Sequence, residues 1–292
     1  MKPAVFDYHA PAIVQEAVEL LQRYGEDATV LAGGQSLVPL MNLRLSRPGH
    51  VVDLNGVPEL DYLTVDGEGI VVGATTRQRT LERSDTVRDL CPLLWRAMPL
   101  VGHFQVRNRG TVGGSLAHAD PASELPAVAL VLQAEVGVVG PTGRRDVKAE
   151  DFFIDAYTTA LDSAEIVEHV RFPSLPGGTG TAILEVARRE GDFAMAGVAA
   201  SLTLDPEGLC SSARLALFGV GPTPVRVIKA ERILEGRAIT EELVGEAAAM
   251  AVQDLDPSSD VHASAAYRKR VAGVLVRRAI AEALARATGE QT

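Results

Sequence analysis

The chain has 292 residues, of which 47% are hydrophobic and 23% charged, a globular composition with enough length for two or three cores rather than one. Its formal net charge of -10 repels phosphodiester backbones and anionic headgroups, which excludes nucleic acid as a partner. Only Cys91 and Cys210 are present, far apart and outside any CxxC, and the six histidines show no zinc-ligand spacing, so neither an iron-sulfur cluster nor a metal site is expected in this chain.

The N-terminal stretch "MKPAVFDYHAPAIVQEA" has no apolar core of the secretory kind, and no apolar run approaches the roughly 20 residues a bilayer requires. The expectation is a cytoplasmic protein without a transmembrane segment.

In chain order, Ile13, Val14, Ala17, Val18, Leu20 and Leu21 recur at helical spacing and Gly25 closes the pattern, which predicts a first helix. "ATVLAGGQS" predicts a strand over Thr29–Ala32 running into a Gly33–Gly34 turn, and "HVVDL" another strand at 50–54. "YLTVDGEGIVVGA" predicts a hairpin around Asp66–Gly67–Glu68–Gly69. The stretch from Thr86 to Val101 is amphipathic and helical, with Trp95 as core filling. Ala122–Leu132 predicts a buried helix, and "AEVGVV", "RRDV" and "EIVEHVRF" predict strands.

The proline- and glycine-dense "PSLPGGTGT" at 173–181 marks a domain boundary. Beyond it come strands over Ala182–Arg188, Ala196–Leu204 and Ala213–Val220, then helices near 226–235, 240–254 and 264–287: an α+β layer. "GVGPTP" at 219–224 is a strand exit, because Pro222 removes a donor that an anion site would use. The last helix concentrates Arg268, Lys269, Arg270, Arg277, Arg278 and Arg286, either as a solvated face or as a docking surface for an acidic partner.

One glycine pair is weak evidence, since glycine supplies positive φ at almost any tight turn. Two segments, "AGGQS" (32–36) and "TVGGS" (111–115), share a form: a β-prone entry, two glycines, then hydrogen-bonding side chains. Successive N–H groups without side chains can line a nest for an anion, with hydroxyls from Ser36, Thr111 and Ser115, and this suits a pyrophosphate. Neither segment fits GxGxxG or GxxxxGK[ST], so a Rossmann fingerprint and a P-loop both fail.

Asp120 and Glu124 stand four residues apart near a helix start, open to three readings: helix capping, acceptors for ribityl hydroxyls, or a general acid/base pair. Arg107 and Arg109 precede the second pair and either steady an anion or are exposed loop charge.

Three blocks, "AGGQSLVPLMNLRLSRPGHVVDLN", "RNRGTVGGSLAHADPASELP" and "RREGDFAMAG", resemble in order and separation those of the flavin-binding medium subunit of molybdenum hydroxylases, the group of aerobic carbon monoxide dehydrogenase and xanthine dehydrogenase. The resemblance covers essentially the whole chain. It implies an α+β fold: a two-subdomain FAD-binding domain of the PCMH/VAO type over 1–175 (subdomains about 1–58 and 59–175), then a C-terminal α+β domain over 178–290 with a three-stranded antiparallel sheet and helices.

Carried over by position, the resemblance puts Leu31, Ala32, Gly33, Gly34, Gln35, Ser36 and Leu37, with Thr111, Val112, Gly113, Gly114 and Ser115, around the diphosphate of a non-covalent FAD. Asp120 and Glu124 would lie by the ribityl and isoalloxazine part, and Ile166 and Phe193 near the ring. Many relatives carry Asn, Tyr and Lys where this chain has Ser115, Phe193 and Glu185, which bears on flavin affinity and potential.

The resemblance further implies a large subunit with the molybdenum cofactor, a small subunit with two two-iron two-sulfur clusters, assembly as a dimer of heterotrimers, and an external electron acceptor such as NAD, a quinone or oxygen. Candidate parent enzymes are aerobic carbon monoxide dehydrogenase and N-heterocycle (nicotine-like or xanthine-like) dehydrogenases. The rival readings are a self-sufficient flavin oxidoreductase and a non-redox nucleotide-binding module.

Overall fold

The structure is a computed structural model that describes residues 1–67 and 69–290. The helix Val14–Tyr24 buries Val14, Ala17, Val18 and Leu21, the face its spacing predicts, and ends where Gly25 takes φ +54 and donates its N–H to Leu21 O. It covers a three-stranded parallel sheet in which His50–Asp53 lies between Asp7–His9 and Ala28–Leu31. The predicted strand over Thr29–Ala32 therefore sits one residue earlier, leaving Ala32 in the turn.

A five-stranded antiparallel sheet follows, ordered Leu63–Asp66, Gly69–Gly73, Ile166–Pro173, Glu135–Gly140 and Gly143–Lys148. The predicted hairpin forms its first two strands; Glu68 of its turn lies outside the described residues. The helical stretch expected over Thr86–Val101 is three pieces: Asp85–Leu90, Pro92–Ala97 and a 3-10 turn at Met98–Leu100. Pro92 is the cause, because it has no N–H to continue the first helix and its fixed φ suits the first turn of the next. Trp95 packs against the core as predicted and donates its indole N–H to Glu82 O at 3.0 Å.

The helix Glu124–Val131 is buried at every residue, within the expected Ala122–Leu132. One side of it meets a sheet made of Thr179–Val186, Ala196–Leu204, Cys210–Phe218 and the short strand Val225–Arg226. This sheet has four strands, not the three expected, and its first strand begins inside the proline- and glycine-dense segment. Ile183, Ala199, Ala216 and Phe218 share a core with Leu93, Leu94, Leu125 and Val128, whereas Ala182, Val198, Ala200 and Leu217 share another with Ala272, Leu275, Val276 and Ile280. Cover on both faces explains why "AGVAASL" is apolar without alternation.

The helices Ile228–Leu234, Glu241–Ala251 and Ala265–Ala287 form the outer layer. The cationic last helix is in part the solvated face expected, since Arg270, Arg277 and Arg278 are exposed, and in part tied into the fold. Arg268 is buried, ion-pairs with Asp260 and donates to Met195 O and Gly219 O; Lys269 caps Gln253 O and Leu255 O; Arg277 pairs with Glu241 and Arg286 with Glu282. Arg268, Lys269 and Arg286 thus donate to main-chain carbonyls, while Arg270 stacks over the Tyr267 ring. Gly219 takes φ +72 just after Phe218, the strand exit expected at "GVGPTP".

Candidate functional site

The strand Ala28–Leu31 delivers the chain into a turn whose N–H groups at Gly33, Gly34, Gln35 and Ser36 donate to no backbone carbonyl among the described residues. Gly34 takes φ +73, which only glycine adopts without strain, and the short helix Leu37–Asn42 starts directly after. Leu31, Ala32, Gly33, Gly34 and Gln35 line a cleft of about 360 Å³ together with Val38, Pro39, Asp53, Asn55 and Arg109. Ser36 and Leu37, also predicted, stand at the start of that helix, and the Ser36 hydroxyl makes no cap.

The second glycine pair is built differently from the expectation. Thr111 is the N-cap of a helix, Val112–His118, and its hydroxyl accepts from Gly114 N at 3.1 Å. Val112 N donates to Thr76 O, Gly113 N to Ala74 O and Ser115 N to Thr111 O, so this segment has no spare donors at Val112–Ser115 for an anion. Its glycines serve contact. A β-carbon on Gly113 would stand 2.6 Å from that of Ala74, and one on Gly114 would stand 3.3 Å from that of Ala32.

The two segments nevertheless meet. A β-carbon on Gly33 would lie 2.5 Å from Arg109 O. Two polar side chains pin the approach: Asn55 Nδ2 donates to Ala32 O at 2.7 Å, while Arg77 donates to Asn55 Oδ1 and to Arg109 O, each at 2.6 Å. Burial and the neighbouring Arg109 guanidinium lower the Arg77 pKa. Neither Asn55 nor Arg77 was among the predicted site residues. Asn55 does lie at the end of the first quoted block, the one signal that pointed to it.

Arg107 leaves the anion reading altogether. It is buried, forms a two-pronged ion pair with Glu82 and donates to the carbonyls of Pro99, Val101 and Gly102. Only Arg109 of the two cations reaches the cleft.

From the second segment, Ser115 Oγ lies 3.4 Å from Ser123 Oγ, and Ser123 is the N-cap position of the helix that Glu124 begins. Asp120 does not cap that helix. Its Oδ1 accepts from Ala122 N in a local turn and its Oδ2 from the Tyr157 hydroxyl at 3.2 Å. Glu124 is 5% exposed, and burial pushes its carboxyl up to about 7, with Asp120 adding to the rise. Glu185, on the edge strand of the C-terminal sheet, is pushed up to about 8 by burial and then by Glu124; its Oε2 is buried without a hydrogen-bond partner.

Phe193 follows that strand and is 65% exposed. Ile166 is 2% exposed and belongs to the core under the first helix with Val139, Val52 and Leu21.

A cleft of glycine-permitted close contacts, N–H groups unclaimed by the backbone and one arginine suits a cofactor with an anionic middle. A family described as "FAD binding domain in molybdopterin dehydrogenase" matches residues 4–175, and one described as "CO dehydrogenase flavoprotein C-terminal domain" matches residues 182–283. The chain belongs to this family of FAD-binding oxidoreductase subunits.

Among its relatives, the 6-hydroxypseudooxynicotine dehydrogenase complex subunit alpha of Paenarthrobacter nicotinovorans is 43% identical, over 98% of this chain and 97% of that one. The carbon monoxide dehydrogenase medium chain of Hydrogenophaga pseudoflava is 41% identical, over 98% and 99%. A solved carbon monoxide dehydrogenase from Hydrogenophaga pseudoflava superposes with a TM-score of 0.96 at 42% identity, over 98% of this chain and 99% of that one. No helix among the described residues is long and apolar enough to cross a membrane.

Proposed function

We propose that this chain is the electron-exit subunit of a cytoplasmic, heterotrimeric molybdenum hydroxylase. It takes electrons from iron-sulfur clusters on a small partner subunit and passes them to an external acceptor, while a large partner subunit with the molybdenum cofactor oxidises the substrate. The proposal includes a dimer of such heterotrimers, and a division of the chain into a FAD-binding part over 1–175, itself in two subdomains, and a C-terminal part over 178–290. Relatives named for carbon monoxide dehydrogenase and for 6-hydroxypseudooxynicotine dehydrogenase support either kind of parent enzyme.

The observation that carries the reading is the Gly33–Ser36 turn, with four N–H groups unclaimed by the backbone beside Arg109 in a chain of this family. Bound FAD supplies the hydride and electron chemistry. The protein supplies the grip and the surroundings. The Gly33–Ser36 turn and Arg109 receive the diphosphate; Asn55 and Arg77 keep the two glycine segments at contact distance; Asp120 and Glu124 set the charge beyond Ser115; and the Phe193 ring covers the flavin.

The test is purification of the chain alone and with its partners. The isolated chain is expected to be yellow with one FAD, and its flavin to bleach with substrate only in the complex. Turnover by the chain alone with a small reductant would instead make it a self-sufficient flavin oxidoreductase. A colourless chain that binds FAD no better than ADP would make it a nucleotide-binding module.

A further inference from the structure

The strand Ala196–Leu204 begins, and the strand Cys210–Phe218 ends, beside the pair Gly197 and Phe218, so Met195 and Gly219 lie just beyond the last rung of that ladder. The guanidinium of Arg268 closes this end. Its Nη1 donates to Met195 O at 2.6 Å and to Gly219 O at 2.9 Å, and its Nη2 to Asp260 Oδ2 at 2.6 Å. Asp260 is fixed in turn, since its Oδ1 accepts from Ala263 N and His262 N at 2.9 Å each. Those two N–H groups, with the guanidinium, hold its carboxyl down at about 2, so the ion pair is present across the neutral range.

By local rules an arginine is an unfavourable choice here. It is buried, its Nε has no hydrogen-bond partner among the described residues, and it stands near the start of the helix Ala265–Ala287, where the dipole disfavours a cation. What the guanidinium supplies is a planar fork that reaches two carbonyls and a carboxylate at once.

Both carbonyls belong to segments beside the candidate site. Met195 lies two residues after Phe193, at the end of a loop in which Arg188, Arg189 and Glu190 are exposed. Midway along it, a β-carbon on Gly191 would stand 2.3 Å from His103 Nδ1. The loop therefore rests on the N-cap residue of the helix Phe104–Arg107, and Arg109 of the cleft follows that helix by two residues. Gly219 makes the connection on the other side: its N–H donates to Pro121 O at 2.8 Å, next to Asp120, and a β-carbon on it would stand 2.9 Å from Ala194 O.

We propose that Arg268 is a positioning residue for the flavin: by fixing Met195 and Gly219 together it latches the Phe193 loop against the Asp120–Pro121 turn, and so holds the Phe193 ring over the isoalloxazine. The inference rests on the reading of Phe193 as the cover of the flavin. Arg268 acts only through the main chain of the two segments it bridges.

The experiment is a double-mutant cycle on the full chain with Arg268→Gln, Phe193→Ala and the double variant, read by FAD affinity and by the visible circular dichroism of bound FAD. An isoalloxazine is achiral, so that dichroism reports how the protein fixes the ring. Each single variant is expected to change the dichroism and to weaken FAD binding about fivefold. The double variant is expected to bind no more weakly than either single one, because a loop without its ring leaves Arg268 nothing to position. An arginine with a merely structural role would give the full product, about 25-fold. A second reading needs no flavin: trypsin is expected to cut the apoprotein at Arg188 or Arg189 faster in Arg268→Gln, where the loop opens more readily. Arg268→Lys keeps a cation for Asp260 but not the fork, is expected to fall between, and serves if Arg268→Gln does not fold.

A full product in the double variant overturns the proposal, as do unchanged affinity and dichroism in a folded Arg268 variant or an unchanged tryptic rate. A wild type that binds no FAD, or a Phe193→Ala variant that binds it as wild type does, overturns the flavin reading instead; the tryptic rate then decides the latch by itself.

Discussion

Gly33 lies against the backbone of Arg109 so closely that a β-carbon on it would stand 2.5 Å from the Arg109 carbonyl oxygen and 2.8 Å from the α-carbon of Gly110. Both obstacles are main chain, so neither can swing aside as a side-chain tip would. Gly33→Ala is expected to push the two segments apart and weaken FAD binding by at least about tenfold, the equivalent of roughly 1.4 kcal/mol. Gly114→Ala meets only the Thr111 hydroxyl and the Ala32 methyl and is expected to cost less. Fluorescence titration of apoprotein with FAD ranks the two, and unchanged affinity in Gly33→Ala would remove the contact from the account.

Asn55 and Arg77 make a specific test of the same junction. Asn55→Ala leaves Ala32 O and one arm of Arg77 without their partners. Each such hydrogen bond is worth about 0.5–1.5 kcal/mol, and for a chain of this size each kcal/mol shifts Tm by roughly 2–4 °C. The expectation is a modest loss of Tm together with a clear loss of FAD affinity. Arg77→Lys should behave nearly as badly, because a single ammonium does not replace a guanidinium that bridges Asn55 and Arg109 O. Normal FAD affinity in both variants at reduced Tm would make the network structural only.

What the sequence discloses here depends on how local the cause is. The helix Val14–Tyr24 and the hairpin of Leu63–Asp66 and Gly69–Gly73 follow from periodicity and turn chemistry within a few residues, and both appear. The three-residue strand Asp7–His9 has no alternation, because it is an edge held only by pairing with His50–Asp53, forty residues on in the chain. "TVGGS" misled in a different way: a β-branched pair before glycines resembles a strand, yet the Thr111 hydroxyl is a helix cap. A threonine three residues before the Gly114 N–H that donates to it is the signal for that. Arg107 reads as loop charge or as an anion's partner because Glu82, with which it pairs, stands 25 residues away. The first glycine turn was legible, whereas the side chains that hold it were not, since nothing local marks Arg77.

The Arg107–Glu82 pair yields a control that separates folding from flavin binding. Arg107→Ala leaves Glu82 with Arg79 alone and takes the donor from the carbonyls of Pro99, Val101 and Gly102, a loss of about 1–3 kcal/mol for each buried group left unsatisfied. Arg107→Ala is therefore expected to lower Tm strongly while the folded fraction binds FAD as wild type does. Arg107, acting chiefly as hydrogen-bond donor, also holds the Glu82 pKa below its usual value. A depressed folded pKa gives stability that is complete above the unfolded value of roughly 4.3 and disappears as pH falls through the folded value. Arg107→Ala should accordingly flatten the acid limb of the Tm profile below about pH 4.3. A wild-type acid limb in the variant would show that Glu82 keeps its ionised form by other means.

Glu124 gives the opposite slope at higher pH. Its folded value of about 7 lies above an unfolded value of roughly 4.3, so between the two the folded chain binds more protons than the unfolded one. Stability then falls as pH rises through that window, by an order-of-magnitude upper limit of about 3–4 kcal/mol for one fully buried group. Glu185, raised to about 8, adds a fall of the same sign that extends to higher pH. Glu124→Gln keeps the volume and cannot ionise, so its Tm relative to wild type is expected to be higher at pH 8 than at pH 5. Measured on apoprotein at both pH values, the comparison needs neither flavin nor partners. A difference that does not change with pH would mean that Glu124 is ionised in the folded chain throughout, and that the helix it begins tolerates a buried negative charge.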